Sequence, residues 1–222
     1  MAESPQPLSA VQHSRLRLRR LPEGAPYFVQ IVAGEFATAA ATCPIFITKA
    51  GDTGEFYAGA MFGFEPGEYL LHPGDAFRPL DLERQGFFID GDKIAIDPSN
   101  PRFSEQDGEP LFEAGEPGES LRRMQRLLGH LKAGVDQTQA FIQALLRHKL
   151  LAPMDIELAF DDGRNLNLQG LYTVSLDALQ DLDDAAVVEL FRSGHLQLAH
   201  VMAASLKQVP VLARRRNARL AA

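Results

Sequence analysis

Two hydrophobic rhythms run along this chain, and they predict different elements. Apolar residues alternate with a period of two in the first part and again after residue 154. They recur at threes and fours between residues 121 and 145 and again near the end. A period of two marks a half-buried strand, and a period near 3.6 marks an amphipathic helix. Tyr27–Ala33 reads as a strand. Pro44–Lys49 and Glu55–Phe64 read as a hairpin across Ala50-Gly51-Asp52-Thr53-Gly54, where glycine supplies positive φ. Phe56, Ala58, Ala60, Phe62 and Phe64 share one face of its second strand, and Tyr57, Gly59, Met61 and Gly63 the other. Two glycines on one face predict close approach by another element.

A second hairpin is expected from Phe87–Asp90 with Lys93–Asp97 around Gly91. A third sets Ile156, Leu158 and Phe160 on one face, turns at Asp161-Asp162-Gly163 and continues through Leu166 and Leu168. Between them, Pro98–Gly118 is rich in Pro, Gly and acids and reads as a surface loop. Ser120 then opens a long helical stripe of Leu121, Met124, Leu128, Leu131, Val135, Thr138, Ile142 and Leu145. Gly134 is a candidate for a kink or for a split into two helices, and Pro153 for a stop. In the last third, Ser175 and Asp183 or Asp184 are candidate N-caps, and Gly194 fits the residue after a helix end. His195–Gln208 is expected to turn Leu198, Val201, Met202 and Leu206 inward, with Pro210 ending or bending it.

These elements predict an α+β fold: a mostly antiparallel sheet built from hairpins, a long central helix and a helical C-terminal third. The hairpins are split in sequence by the helix, so residues 1–222 are expected to form a single domain, with residues 1–10 disordered at the start. Phe56, Phe62, Phe64, Leu128, Ile142, Ile156, Leu158 and Leu198 are the expected core.

Charge changes the picture in two places. The formal net charge of −7 argues against general nucleic-acid binding. Residues 81–119 hold eleven acids against Arg84, Lys93 and Arg102, whereas the last stretch carries Lys207, Arg214, Arg215, Arg216 and Arg219 with no acid. A basic tail can bind phosphate, membrane or RNA, but a solvated helix end favoured by the dipole explains it as well. Cys43 is the only cysteine, which fits a reducing, cytoplasmic setting and a buried structural thiol. The early arginines Arg15, Arg17, Arg19 and Arg20 run into Leu21-Pro22-Glu23-Gly24-Ala25-Pro26, which breaks a signal-peptide pattern. No run of about 18 uncharged apolar residues occurs, so no membrane-spanning helix is expected.

Several short motifs occur in a set order. Val32-Ala33-Gly34-Glu35-Phe36 is followed by Cys43-Pro44-Ile45-Phe46, then by Met61-Phe62-Gly63-Phe64-Glu65-Pro66-Gly67-Glu68. Arg84-Gln85-Gly86-Phe87, Ile96-Asp97, Pro101-Arg102 and Gly108-Glu109-Pro110-Leu111-Phe112 come next. The strongest block is Asp161-Asp162-Gly163, Gly170-Leu171-Tyr172-Thr173-Val174, Gly194-His195-Leu196 and Ser205-Leu206. In order and spacing this resembles the SapC-like family of bacterial proteins over about Pro44 to Asn217. One departure is Gly86, where the family usually has Pro. The family is named after a surface-layer locus, and its members are often labelled peptide-transporter permeases, a label that needs membrane spans. The resemblance implies an accessory role. Family members are often encoded beside flavin-dependent halogenase-like proteins, JmjC/cupin-like proteins and TonB-dependent receptors. It brings no established catalytic residues.

The residues themselves offer little chemistry. His13, His72, His130, His148, His195 and His200 form neither H-x-H nor H-E-x-x-H, and no His-x-Asp or His-x-Glu marks a facial triad. There is no G-x-S-x-G, and Ser205 reads as a small residue at a helix contact. Gly63-x-x-x-Gly67 and Gly115-x-x-Gly118 are turn-like rather than nucleotide loops. No catalytic residue, metal site or cofactor is therefore assigned. Glu68, Arg84, Asp97, Arg102 and Tyr172 are the candidate ligand-binding residues, being polar, family-like and near strand ends. Arg84 or Arg102 could grip a carboxylate bidentately, or serve as structural ion pairs with the acidic segment. The reading is a soluble, cytoplasmic, non-catalytic accessory or binding protein, with a halogenase-like flavoprotein or JmjC/cupin-like protein as partner. The alternatives are an oxygenase-like or modifying enzyme with a dispersed active site, and a surface-layer-associated structural protein.

Overall fold

The computed structural model describes residues 5–21, 26–72, 74 and 77–220. It has the expected α+β architecture, with antiparallel sheets, one helix of 29 residues from Glu119 to Arg147, and helices through the C-terminal part. The chain divides into two compact units, each assembled from two segments: residues 1–24 with 80–133, and residues 25–79 with 134–222.

The second of these units carries the larger sheet. Its strands lie in the order Leu151–Ala159, Asn165–Val174, Ile45–Lys49, Phe56–Met61, Phe28–Gln30, all antiparallel. The first and third predicted hairpins therefore join one sheet, with Tyr172 opposite Ile47. Ile45, Phe46 and Ile47 are consecutive and fully buried, which marks a strand covered on both faces. On one side Ala199, Met202 and Ser205 of the His195–Ser205 helix are buried, and Ser205 Oγ accepts the Ile45 N–H at 2.9 Å. Both glycine approaches are real. The Phe28 ring lies 2.1 Å from where a Gly59 Cβ would be, and the Glu68 carbonyl oxygen 2.5 Å from that of Gly63.

The long helix is continuous through Gly134, which serves packing rather than a kink. A Cβ there would sit 2.5 Å from Val32 Cγ2. Four residues on, Thr138 Oγ1 accepts the Ala33 N–H at 2.8 Å and donates to the Gly134 carbonyl at 2.6 Å. Phe141 packs edge-on against Phe36 with ring centres 5.8 Å apart. Val135 is 43% exposed, contrary to its place in the apolar stripe. Pro153 lies inside a strand rather than stopping the helix, which ends at Arg147. That strand is the sheet's edge, where a missing N–H costs nothing. Opposite it, Gly170 at φ 76° accommodates a bulge between Met154 and Ile156.

The caps fall where expected: Ser175 Oγ accepts the Ala178 N–H, and Asp183, not Asp184, accepts the Ala186 N–H. Gly194 takes φ 76° between two helices. Pro210 neither ends nor bends the His195 helix; it sits in the first turn of a separate helix, Gln208–Leu220, where proline is tolerated. Of the expected core, Phe62, Phe64, Ile142 and Ile156 are buried here, while Phe56, Leu158 and Leu198 are only half-buried. The Leu198 face was misassigned because the inner stripe is Ala199, Met202 and Ser205.

The other unit holds the second hairpin, Phe87–Asp90 with Lys93–Ile96. Gln6–Pro7 adds a third strand beside it, so the opening segment contributes structure from residue 6; residues 1–4 lie outside the described residues. Within Pro98–Gly118, expected as a loop, Phe103–Ser104 and Glu109–Pro110 flank Arg17–Leu18, and Phe112–Glu113 pairs with Glu116–Pro117. Its core gathers Leu18, Phe87, Ile96, Phe103 and Leu111 on Leu121, Met124, Leu127 and Leu128 of the long helix. Leu128, the remaining expected core residue, is buried there.

Candidate ligand-binding site

The five sequence-selected residues are divided between the two units, and each is engaged by near neighbours in its own unit. Arg84, Asp97 and Arg102 belong to one unit, Glu68 and Tyr172 to the other. Arg84 pairs with Asp81, one turn away, at 2.7 Å and donates to the Phe87 carbonyl at 3.2 Å. Asp97 Oδ1 accepts the N–H and hydroxyl of Ser99, closing a local turn. Arg102 is buried and donates to the carbonyls of Glu83 and Gln85. Glu68 Oε2 accepts the Phe64 N–H at 2.7 Å. Tyr172 packs edge-on against Phe56, ring centres 5.2 Å apart.

Phe56 leads to a cleft that the sequence did not point to. It lies wholly within the unit of residues 25–79 and 134–222, with a volume of about 410 Å³. Its floor is Ile31, Val32, Thr138 and Ile142, all buried. The walls are Phe56, Tyr57 and the uncovered Val135, and the exposed rim carries Gln30, Thr53, Glu55 and Gln139. Thr53 and Glu55 come from the hairpin turn, and Val135 and Gln139 from one face of the long helix. The Thr138 hydroxyl is already committed to backbone and Thr53 Oγ1 accepts the Glu55 N–H at 3.2 Å, so the groups open to a ligand are the rim amides, the Thr53 O–H as donor, Glu55 and the Tyr57 hydroxyl. Burial first, and then the Tyr27 phenol, push the Tyr57 pKa up, which keeps its hydroxyl a protonated donor at neutral pH. Among the described residues Glu55 is the only charged one in the lining. The geometry suits an uncharged or weakly cationic molecule with an apolar body. One signal could have led here: Val135 is an apolar stripe residue followed by Gln139 at the next turn.

The basic tail is not a free arm. Arg216 is buried, donates to Glu65 Oε2 at 2.6 Å, lies 3.5 Å from Glu68 Oε1 and stacks 4.2 Å over the Phe160 ring. Arg215 and Arg219 donate to the carbonyls of Leu70 and Tyr69, and Arg164 meets the other Glu65 oxygen at 3.1 Å. Arg214 remains exposed. The tail cations thus fasten the last helix to the Glu65–Leu70 segment.

Cys43 is buried with its thiol donating to the Ala39 carbonyl. Burial and the Arg147 charge lower the His195 pKa. Among the described residues no three His, Cys, Asp or Glu side chains are grouped as a metal ion would need, and no helix is long and apolar enough to cross a membrane. No curated protein and no solved structure matches the chain. The family model described as SapC matches residues 8–212, nearly the whole sequence, and the chain belongs to the SapC family.

Proposed function

We propose that this SapC-family chain is a non-catalytic binding or accessory protein that holds a small uncharged ligand in the cleft bounded by Phe56, Tyr57 and Val135. The observation that carries the reading is Val135, an apolar residue 43% exposed above a buried apolar floor and ringed by amides and hydroxyls. An apolar floor with a few convergent polar groups and a volume of about 410 Å³ is the make-up of a ligand site. Among the described lining residues Glu55 is the candidate general base, and no histidine, lysine or cysteine stands beside Thr53 to make a nucleophile pair, which supports binding over turnover. As the accessory part of the proposal, the partner is a halogenase-like flavoprotein or a JmjC/cupin-like protein in the cytoplasm, a reading supported by the family resemblance and the single buried cysteine. We also read residues 1–222 as a single SapC-like domain, a reading supported by each unit being made of two chain segments and by Glu119–Arg147 contributing to both.

The test is a thermal-shift panel of uncharged aromatic and amide compounds with their carboxylate analogues. Uncharged members are expected to raise Tm by a few degrees at concentrations well above Kd, as selective binding to the native state requires, and carboxylates to do less because of Glu55. Val135→Asp is an exposed change and is expected to abolish the shift while keeping the circular dichroism spectrum. Turnover of a bound compound would overturn the non-catalytic reading. A panel with no shift at all would overturn the cleft.

A further inference from the structure

A second groove lies wholly within the unit of residues 1–24 and 80–133, and its volume is about 600 Å³. Its floor includes Leu121 and Leu128, both buried on the long helix. Above them Ile94 and Phe112 are only partly covered, and Ile89 is 40% exposed. This leaves a band of apolar surface in contact with water, in the size range of sites for small organic ligands.

Charge identifies what would cover it. The surrounding segment is acidic, with eleven acids in residues 81–119. The cations there are mostly spent: Arg19 pairs with Asp107, Arg84 with Asp81, Arg123 with Glu109 and Arg126 with Glu119. Lys93 and Lys132 are exposed, line the groove and enter no ion pair among the described residues. Among the described residues Asp92 is the only carboxylate in the lining, and Gln125 adds an amide donor. A lysine can lay its hydrocarbon stem along an apolar wall and present its ammonium at the rim. Two free ammonium groups over an apolar band complement a molecule with an anionic head and a hydrocarbon body.

We infer that this groove is a binding site for a monocarboxylate carrying an alkyl or aryl body, with Lys93 and Lys132 holding the carboxylate. It shares no lining residue with the Val135 cleft, where no cation lies among the described lining residues.

The test is isothermal titration of the full chain carrying Val135→Asp, so that the other cleft takes up no uncharged probe, with decanoate, decanol and decyltrimethylammonium, each below its micelle concentration. Decanoate is expected to bind about tenfold more tightly than either control, the scale of one or two exposed charge contacts. Its affinity should fall between about 20 mM and about 500 mM salt, as exposed charges are screened over that range. Lys93→Glu with Lys132→Glu changes only exposed side chains and should reverse the preference toward decyltrimethylammonium. Ile89→Asp should weaken all three probes, while Val135→Asp should leave decanoate binding unchanged, which separates this site from the cleft. Equal binding of the three probes, decanoate binding insensitive to the lysine changes, or no binding of decanoate would each overturn the inference.

Discussion

Arg102 and Arg216 are both buried, at 7% and 5% exposure, one in each unit, yet they are held in different ways. Arg102 has neutral partners, the carbonyls of Glu83 and Gln85, and burial lowers its pKa more than the Glu83 charge raises it. Arg216 has ionic partners, Glu65 and Glu68, and a Phe160 face beneath it. Each keeps one nitrogen without a hydrogen-bond partner, Nε of Arg102 and Nη1 of Arg216. A buried guanidinium needs acceptors, and backbone dipoles can serve where carboxylates do not. The difference is in what loses a donor when the arginine is removed: two carbonyl dipoles in one case, two carboxylates in the other.

The largest effect should therefore come from Arg216→Met, which takes the guanidinium from Glu65 Oε2 and Glu68 Oε1, leaves Glu65 only its exposed contact with Arg164, and unfastens the last helix. Breaking a buried pair typically costs 3–5 kcal/mol, and the two glutamates keep some water, so a loss of about 3 kcal/mol is expected in chemical denaturation. Pairing with Glu65→Gln in a double-mutant cycle should give a coupling of about 1–2 kcal/mol, since the two side chains touch. A coupling near zero would mean that Arg216 matters for its packing on Phe160 and not for its charge.

Next comes Arg102→Met. It strands the Glu83 and Gln85 carbonyls, and a loss of about 2 kcal/mol is expected, the scale for leaving buried acceptors unpaired. The matching cycle with Glu83→Gln should couple by less than about 0.5 kcal/mol, because Arg102 binds that residue's backbone and not its carboxylate. Strong coupling would erase the distinction between the two arginines.

The same pair explains what the sequence could tell. Arg102 could be singled out because it lies in a family-like Pro-Arg motif, but its partners are backbone atoms, which no residue type announces. Arg216 looked like one of several tail cations because Glu65 and Glu68 lie about 150 residues earlier. The hairpins, caps and most of the long stripe were legible, since each is set by residues within a few positions of one another. Short strands such as Glu109–Pro110 were not, because two residues carry no period and their pairing with Arg17–Leu18 is distant in sequence. The cleft was hidden for a related reason. Val135 follows the helical stripe faithfully, yet it is Gly134 that packs on Val32, and Val135 stays exposed beside it.

A third arginine, on the surface, sets the lower bound of the comparison. Arg19 meets Asp107 at 2.6 Å, but the two side chains are 43% and 63% exposed. The Arg19 hydrogen bond, and then the Ser104 hydroxyl, hold the Asp107 carboxyl down from 3.8 to about 2. A folded pKa below the unfolded one means that the unfolded chain binds the proton more readily as pH falls. The contribution of Asp107 is thus fully present above about pH 4 and is lost as pH falls through about 2. Asp107→Asn should be slightly less stable than the parent at about pH 6, and the gap should close as both are taken toward about pH 2. Differential scanning calorimetry of the two proteins across that range reads the gap directly. It should be the smallest of the three effects, because water competes for both charges. A gap that persists at the acid end would show that the Ser104–Asp107 turn, and not the Arg19 charge, is what the substitution breaks.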